Sequence, residues 1–404
     1  MNSPQPKSLN SNGSYGTQML GVVLPDELIE QVLSFLPVKS LLQLRCVCKW
    51  WKTLISNSTF VKLHHKRSAR NKITAVLDQS DLSIVCVPVH CLLKNASITL
   101  TGEPYLQLND DDEFLYHVGS YNGLLCLVGY FVHDEFVEIS LYLWNPATRT
   151  LSNKIEFLRV EFHCINTSNI CGHKWNFAFG YDNSTDTYKI VTFCLSTNEV
   201  RVLSFGDNLW RNIQCFPVVP FDYPETFHRH PSITNGVCVS STINWLADLK
   251  FPTVGQFVII SLDLSTETYL QLMPPRGFDK VSGVGPTLAV LMDSLCYSHD
   301  FHGTDFIIWQ MKKFGVEESW TQFLKISYRR LLTHYYIIRN LQRMLIFPLS
   351  VSENGGSLIL ACGDNKHAIL YNLCHNNRVA KTSTTSIVQW FLAKDYTESL
   401  VSTS

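Results

Sequence analysis

No stretch of this sequence approaches the roughly 18 consecutive apolar residues that a transmembrane helix needs. The opening MNSPQPKSLNSNGSYGTQ also lacks the apolar core of a secretory signal. Net charge is nearly absent: 33 Lys and Arg stand against 34 Asp and Glu, a formal −1. That balance argues against nucleic acid or an anionic membrane as the main partner. Paired metal-ligand spacings are missing too. With no C-x-x-C or H-x-x-x-H, neither His299-Asp300-Phe301-His302 nor Cys171-Gly172-His173 can complete a four-ligand zinc site. Nucleophile elbows, P-loops and glycine-rich phosphate cradles do not occur, and neither a metal nor a cofactor is expected; catalytic Cys–His pairs assemble in space and are not settled by spacing. Asp110 to Glu113 reads as a solvated acidic loop. The 13 cysteines are odd in number and follow no export signal, which points to reduced thiols in cytoplasm or nucleus.

What is present is a folded composition, 46% hydrophobic and 17% charged, in a chain long enough for a small module and one large domain. Residues 1–20 are a polar lead-in for which disorder is expected. Helical periodicity fills 21–66. Pro25 fits a first helical position, with Asp26 and Glu27 in the first turn, where the helix dipole favours negative charge. Leu28, Ile29, Val32, Leu33 and Leu36 form an apolar stripe that Pro37 stops. A second helix is expected from an N-cap at Ser40 toward Ile55, with a break near Gln43 giving three helices in place of two. Its apolar positions are Leu41, Leu44, Val47, Cys48, Trp51, Leu54 and Ile55. Cys46 and Cys48 read as small hydrophobes. Two short helices cannot hide this much apolar surface in each other. Either the rest of the chain covers the surplus, or a partner protein does.

Leu24-Pro-Asp-Glu-Leu28, Leu36-Pro-Val-Lys-Ser-Leu41, Arg45-Cys-Val-Cys-Lys-Trp-Trp51 and Phe60-Val-Lys-Leu-His64 together resemble an F-box. The resemblance implies docking to a Skp1-type adaptor, and through it to a cullin–RING ubiquitin ligase. The residues it assigns to that contact are Leu24, Pro25, Leu28, Ile29, Leu33, Leu36, Pro37, Leu41, Leu44, Val47, Cys48 and Trp51.

A basic stretch at 67–72 links this module to residues 73–395, where the texture changes. Short runs rich in Val, Ile, Leu and aromatics alternate with Gly, Asn, Asp, Pro and Ser, which predicts strands and turns. Examples are 73–77, 83–89, 123–131, 139–145, 176–181, 189–194, 236–247, 257–264, 305–311 and 357–362. A helix is expected only within 327–345. A turn theme recurs at Asn145-Pro-Ala-Thr148, Asp182-Asn-Ser-Thr185 and Asp263-Leu-Ser-Thr266, where a side-chain oxygen can bond its own backbone. Trp144, Trp175, Trp210 and Trp245 step at about the length of a propeller blade. The fold class expected is therefore mainly β, an irregular propeller-like domain preceded by a small α module, with a polar tail at 396–404. There is no Trp-Asp series and only one Gly-Gly pair, so neither WD40 nor strict kelch signatures are met.

Gly119-Ser-Tyr-Asn-Gly-Leu-Leu-Cys-Leu127, Leu143-Trp-Asn-Pro-Ala-Thr-Arg149 and Phe179-Gly-Tyr-Asp182 with Asp186-Thr-Tyr-Lys-Ile-Val191 resemble the F-box-associated interaction domain of plants, found in F-box/kelch-repeat and S-locus F-box proteins. This implies a substrate receptor of an SCF ubiquitin ligase whose target is a protein, with no nucleic acid or membrane partner. The reading from another class is a propeller that sequesters a protein or glycan without ligase activity. For the target surface, residues 215–235 stand out: four prolines oppose strand pairing, and either Tyr223, Phe227 and Arg229 contact the target or the aromatics of the loop fold inward and plug one end of the β domain.

Overall fold

The computed structural model describes residues 25–68, 72–78, 83–89, 97–98, 106–107, 114–133, 135–155, 157–161, 175–195, 197–207, 209–221, 236–249, 257–276, 285–331, 346–352, 355–362, 367–373, 379–384 and 388–403. Four short helices come first: α1 (Asp26–Leu33), α2 (Val38–Leu44), α3 (Lys49–Ser56) and α4 (Ser58–Ser68). The break in the expected second helix lies at 45–48, after Gln43, and Ser40 sits inside α2 in place of capping it. Cys48 takes the cap of α3, its Sγ accepting from the Trp51 amide at 3.5 Å. The basic run after Ser58 is helical as well, forming α4.

Among the described residues the strands group into six sheets, four of them antiparallel meanders in chain order. Blade 2 holds Phe114–Tyr121, Leu124–Val132, Phe136–Asn145 and Thr150–Leu151, with Phe157–Glu161 on its third strand. Blade 3 holds Trp175–Asp182, Thr187–Cys194, Val200–Ser204 and Trp210–Ile213. Blade 4 holds Val237–Val239, Thr242–Asp248, Phe257–Asp263 and Tyr269–Leu272; blade 5 holds Thr287–Leu291, Ser294–Phe301, Asp305–Met311 and Trp320–Ser327. Blade 6 runs from Ile346–Val351 through Ser357–Cys362 and His367–Asn372 to Val379–Thr384, and the short Ser97–Ile98 adds to its edge in parallel. Blade 1 is composite. Its innermost strand is the late segment Val388–Thr397, paired with Lys72–Asp78, and outside that lie Ser83–Pro88 and Leu106–Gln107. First strands of successive blades neighbour one another around a ring, and Val388–Thr397 touches both blade 2 and blade 6 to close it.

Stacked blades bury both faces of their middle strands, which is why those strands read as unbroken apolar runs. Thr242–Asp248, the second strand of blade 4, is buried at every position. The cores lie between blades: Phe177, Phe179 and Ile190 pack with Leu141 and Leu143 between blades 2 and 3, and Phe193 and Val202 pack with Trp245 and Ile260 between blades 3 and 4. The tryptophan interval is a coincidence of spacing. Trp144, Trp175, Trp210 and Trp245 lie on third, first, fourth and second strands respectively, so they mark no common blade position. The run 236–247 is two strands, split by a hairpin whose Ser240 and Ser241 both have positive φ.

The recurring turn forms three times, each time closed by the amide two residues on donating to the Asn or Asp side chain. Asn145 Oδ1 accepts from the amides of Ala147 (3.0 Å) and Thr148 (3.4 Å), and Asp263 Oδ1 from those of Ser265 (2.8 Å) and Thr266 (3.0 Å). Asp182 Oδ1 takes the Ser184 amide at 2.9 Å, while its Oδ2 takes the Thr185 hydroxyl at 2.8 Å. Each turn ends on a left-handed residue, Arg149, Asp186 or Glu267.

Asp182 also anchors a clamp between blades. Lys189 Nζ lies 3.2 Å from Asp182 and 3.4 Å from Glu267, and it donates to the Leu264 carbonyl; Arg211 reaches Glu267 at 2.8 Å. Burial alone would raise the Asp182 carboxyl. The Ser184 and Thr185 donors and the Lys189 ammonium outweigh it and hold the pKa down to about 2, against a usual 3.8. Stability contributed by Asp182 is thus complete above pH 4 and is lost as pH falls through about 2. Lys189→Met leaves a buried carboxylate without its counter-charge, and we expect a cost of ~3 kcal/mol in thermal or denaturant unfolding. Pairing it with Asp182→Asn recovers most of that loss.

The meander fixes two faces. The turn after each first strand and the turn after each third strand share one face, and the helices dock there. Lys62 on α4 pairs with Asp186 at 2.7 Å, and Ala147 packs into the helical core. Of the polar tail expected at 396–404, Tyr396 and Thr397 end the innermost strand of blade 1 and residues 398–403 form a strap between the two parts. Asn145 Nδ2 donates to the carbonyls of Ser399 (3.1 Å) and Val401 (2.8 Å), the Glu398 carboxylate bonds the Val38 amide at the start of α2, and Leu400 is buried among Leu33, Val38, Leu41, Ile55 and Phe60. At Gly123, φ is +79°, and a Cβ would lie 2.3 Å from Ser399 Oγ. Glycine in the Ser-Tyr-Asn-Gly-Leu motif therefore serves both the hairpin and the strap. Connections from each fourth strand to the next blade begin and end on the opposite face.

Candidate functional site

The helical module has more apolar surface than its core uses. Leu33 and Leu41 point inward and are 4% and 0% exposed; with Val38, Ile55, Phe60 and Leu400 they complete a small core. Ile29, Leu36, Leu44 and Trp51 are half-buried around it. The single stripe read on α1 is two stripes. One faces this core, and the other, Leu28, Val32 and Phe35 at spacings of four and three, faces solvent at 51%, 62% and 68% exposure. Val47 (66%) and Trp50 (40%) extend the outward surface at the other end of the module. Trp50 meets Trp51 edge to face at 6.4 Å, so the half-buried ring braces the exposed one. The Arg67 guanidinium lies 4.4 Å over the Phe35 ring and donates to the Gln31 carbonyl at 2.9 Å, which fixes the ring at the end of the stripe.

Of the residues assigned from the sequence, Leu28 and Val47 are thus on the open surface, as are Pro25, Pro37 and Cys48. Leu33 and Leu41 are interior, and Leu24 lies outside the described residues. Val32, Phe35 and Trp50 were not in that assignment. Val32 was visible in the stripe, but periodicity cannot say which flank of a wide apolar band faces a core four helices away in assembly.

Two histidines support the module from below. His64 is buried, with Nε2 2.9 Å from the Leu36 carbonyl and its ring stacked on Phe60. Burial lowers its pKa, the bond to Leu36 only partly opposing; His65 is lowered likewise by burial, against a hydrogen bond to the Glu398 backbone. Below their usual 6.5 the unfolded chain takes up protons that the folded module refuses, so stability rises with pH through that window. We expect the module's unfolding, followed by tryptophan fluorescence, to become easier from pH 7 toward 5.5. The double variant His64→Gln, His65→Gln should flatten that dependence.

The 215–235 segment is described only to Phe221; Tyr223, Phe227 and Arg229 lie outside the described residues. Its first aromatics turn inward. Phe216 packs on Phe193 and Trp245, Phe221 meets Phe257 edge to face at 5.2 Å, and Pro220 bridges Ala247 despite the prolines. The Asn198 side chain holds the Phe216 carbonyl at 3.2 Å, so the segment leaves blade 3 on the face away from the helices. Among the described residues no group of three or more His, Cys, Asp or Glu could hold a metal, and no helix is long and apolar enough to cross a membrane.

A family model described as an F-box associated beta propeller domain matches residues 75–403, and an F-box-like model matches residues 22–65. An F-box/kelch-repeat protein of Arabidopsis thaliana is 29% identical over 400 residues, covering 94% of this chain and 95% of its own length. A putative F-box protein of the same plant is 27% identical over 310 residues, 74% of this chain and 61% of its own. With a helical module that keeps an apolar face to solvent and six blades closed by a late strand, the chain belongs to the plant F-box proteins that carry an F-box associated beta propeller domain.

Proposed function

We propose that this protein is the substrate-recognition subunit of a Skp1–cullin–F-box ubiquitin ligase and is not itself a catalyst. The observation that carries the reading is the second apolar stripe of α1. Leu28, Val32 and Phe35 stay exposed although the helix's other flank has already satisfied the core. A stripe at these spacings fits a groove between helices of a Skp1-type adaptor, with Val47 and Trp50 as a second anchor. Residues 21–66 then bind the adaptor, and residues 73–395 bind a target protein. The strap through Glu398, Asn145 and Leu400 holds the two in fixed relation, as positioning a target for ubiquitin transfer requires. The face away from the helices, from which the 215–235 segment leaves, is the surface free to carry Tyr223, Phe227 and Arg229 to the target. The test is affinity purification of the full chain from plant cells of cytoplasmic and nuclear fractions under proteasome inhibition. Recovery of a Skp1-like adaptor together with a cullin is the expected result. Recovery of a target without either would assign the chain to the sequestering class.

A further inference from the structure

The ring of first strands encloses a cavity of about 660 Å3 along the propeller axis, open toward the helices. Ligand pockets run from roughly 300 to 1,000 Å3. Its wall carries Lys394 and Asp395 on the innermost strand of blade 1, Asp293 in the first hairpin of blade 5, Ser120 and Asn122 on blade 2, and His65 of α4 at the mouth. Lys394 is held in place by its ladder partner Ala75. Among the described residues its ammonium makes no ion pair or side-chain hydrogen bond, and burial lowers its pKa to about 8. Asp395 is drawn toward the sheet, where Thr74 Oγ1 lies 3.5 Å away. At the mouth, the Nδ1 atom of His65 is buried with no hydrogen-bond partner among the described residues. The lining also carries apolar residues, among them Ala393, Val290, Leu349 and Phe347.

A buried cation on the lining of a partly apolar cavity, with no ion pair among the described residues, is costly, and an anion bound beside it offsets that cost. We propose that the axial cavity is a binding site for a small organic anion, with a carboxylate at Lys394 and an apolar body along the Val290, Leu349 and Phe347 wall. Asp293 and Asp395, on other parts of the same lining, disfavour multiply charged anions such as nucleotides and polyphosphates more than a single carboxylate. His65 Nδ1 offers a polar contact to the outer end of the molecule. Because His65 belongs to the helical module, an occupant touches both the module and the propeller.

The experiment uses the full chain with 3-phenylpropanoate and its neutral amide as probes, titrated by calorimetry. The acid should bind about 10-fold tighter than the amide, equivalent to ~1.4 kcal/mol, and Lys394→Met should abolish that preference. A second measurement needs no variant. Acetylation of Lys394, read by peptide mass spectrometry, should be slowed selectively by the acid and not by the amide. Equal binding of acid and amide, a preference that survives in Lys394→Met, or acetylation of Lys394 indifferent to the acid would each overturn the assignment. Adaptor capture by Lys394→Met, measured alongside, should match the unsubstituted chain. A loss there would count against the adaptor surface as drawn and leave the cavity readouts to decide the cavity.

Discussion

Substituting Val32→Glu and Phe35→Glu together should cut adaptor affinity by about 100-fold, or ~2.7 kcal/mol, with unchanged melting of the chain. Both side chains project into solvent, so the change removes the Arg67 contact to the Phe35 ring but no core packing, and surface changes of this kind usually fall within ~0.5 kcal/mol of neutral. Placed in an apolar groove of the partner, the same carboxylates are desolvated without a counter-ion. Leu33→Ala on the other flank has the opposite profile. It should destabilise the module by ~2–5 kcal/mol as a cavity opens beside Leu400, and weaken adaptor binding only through loss of fold. Surface plasmon resonance against a purified Skp1-type adaptor, with melting curves of the same samples, separates the two. Full adaptor binding by the doubly charged variant would move the docking surface elsewhere.

The second large effect is at the strap. Leu400→Asp puts a carboxylate into a core of Leu33, Val38, Leu41, Ile55 and Phe60, at a cost we expect to exceed ~3 kcal/mol, enough to melt so small a module. The Asn145 bonds to Ser399 and Val401 use backbone carbonyls and survive the change, so the blades stay closed. Hydrogen exchange would show this directly: amides of α2 to α4 lose protection, while those of Thr187–Cys194 and Thr242–Asp248 keep theirs. If the helices remain protected in Leu400→Asp, the module is self-sufficient and the strap is only a tether.

What the sequence discloses here is local chemistry. Asn145, Asp182 and Asp263 announce their turns because the side chain and the amides it binds are two or three residues apart. Strands buried on both faces, such as Phe257–Asp263, announce themselves by continuous apolar character. The direction of a helix face is decided elsewhere in the chain. Val32 and Leu33 are adjacent apolar residues, and what makes one a core residue and the other a surface is the packing of Val38, Leu41, Ile55 and Phe60 from later helices and of Leu400 from the far end. The same distance hid the closure: nothing in Lys72–Asp78 names Val388–Thr397 as its partner. The tryptophan spacing shows the reverse error, a regular interval with no structural equivalence behind it.

The closure of blade 1 by Val388–Thr397 has a consequence for the order of events during synthesis. At about 5–20 residues per second, the strand Lys72–Asp78 waits tens of seconds on the ribosome for its inner neighbour, with one edge unpaired. The helices wait with it, since Leu400 completes their core. An interrupted chain that stops before residue 388 therefore carries the adaptor-binding motif but neither a closed ring nor a finished helical core. Such a fragment is poorly equipped to occupy the ligase in place of the whole receptor, so the architecture couples entry into the ligase to completion of the chain.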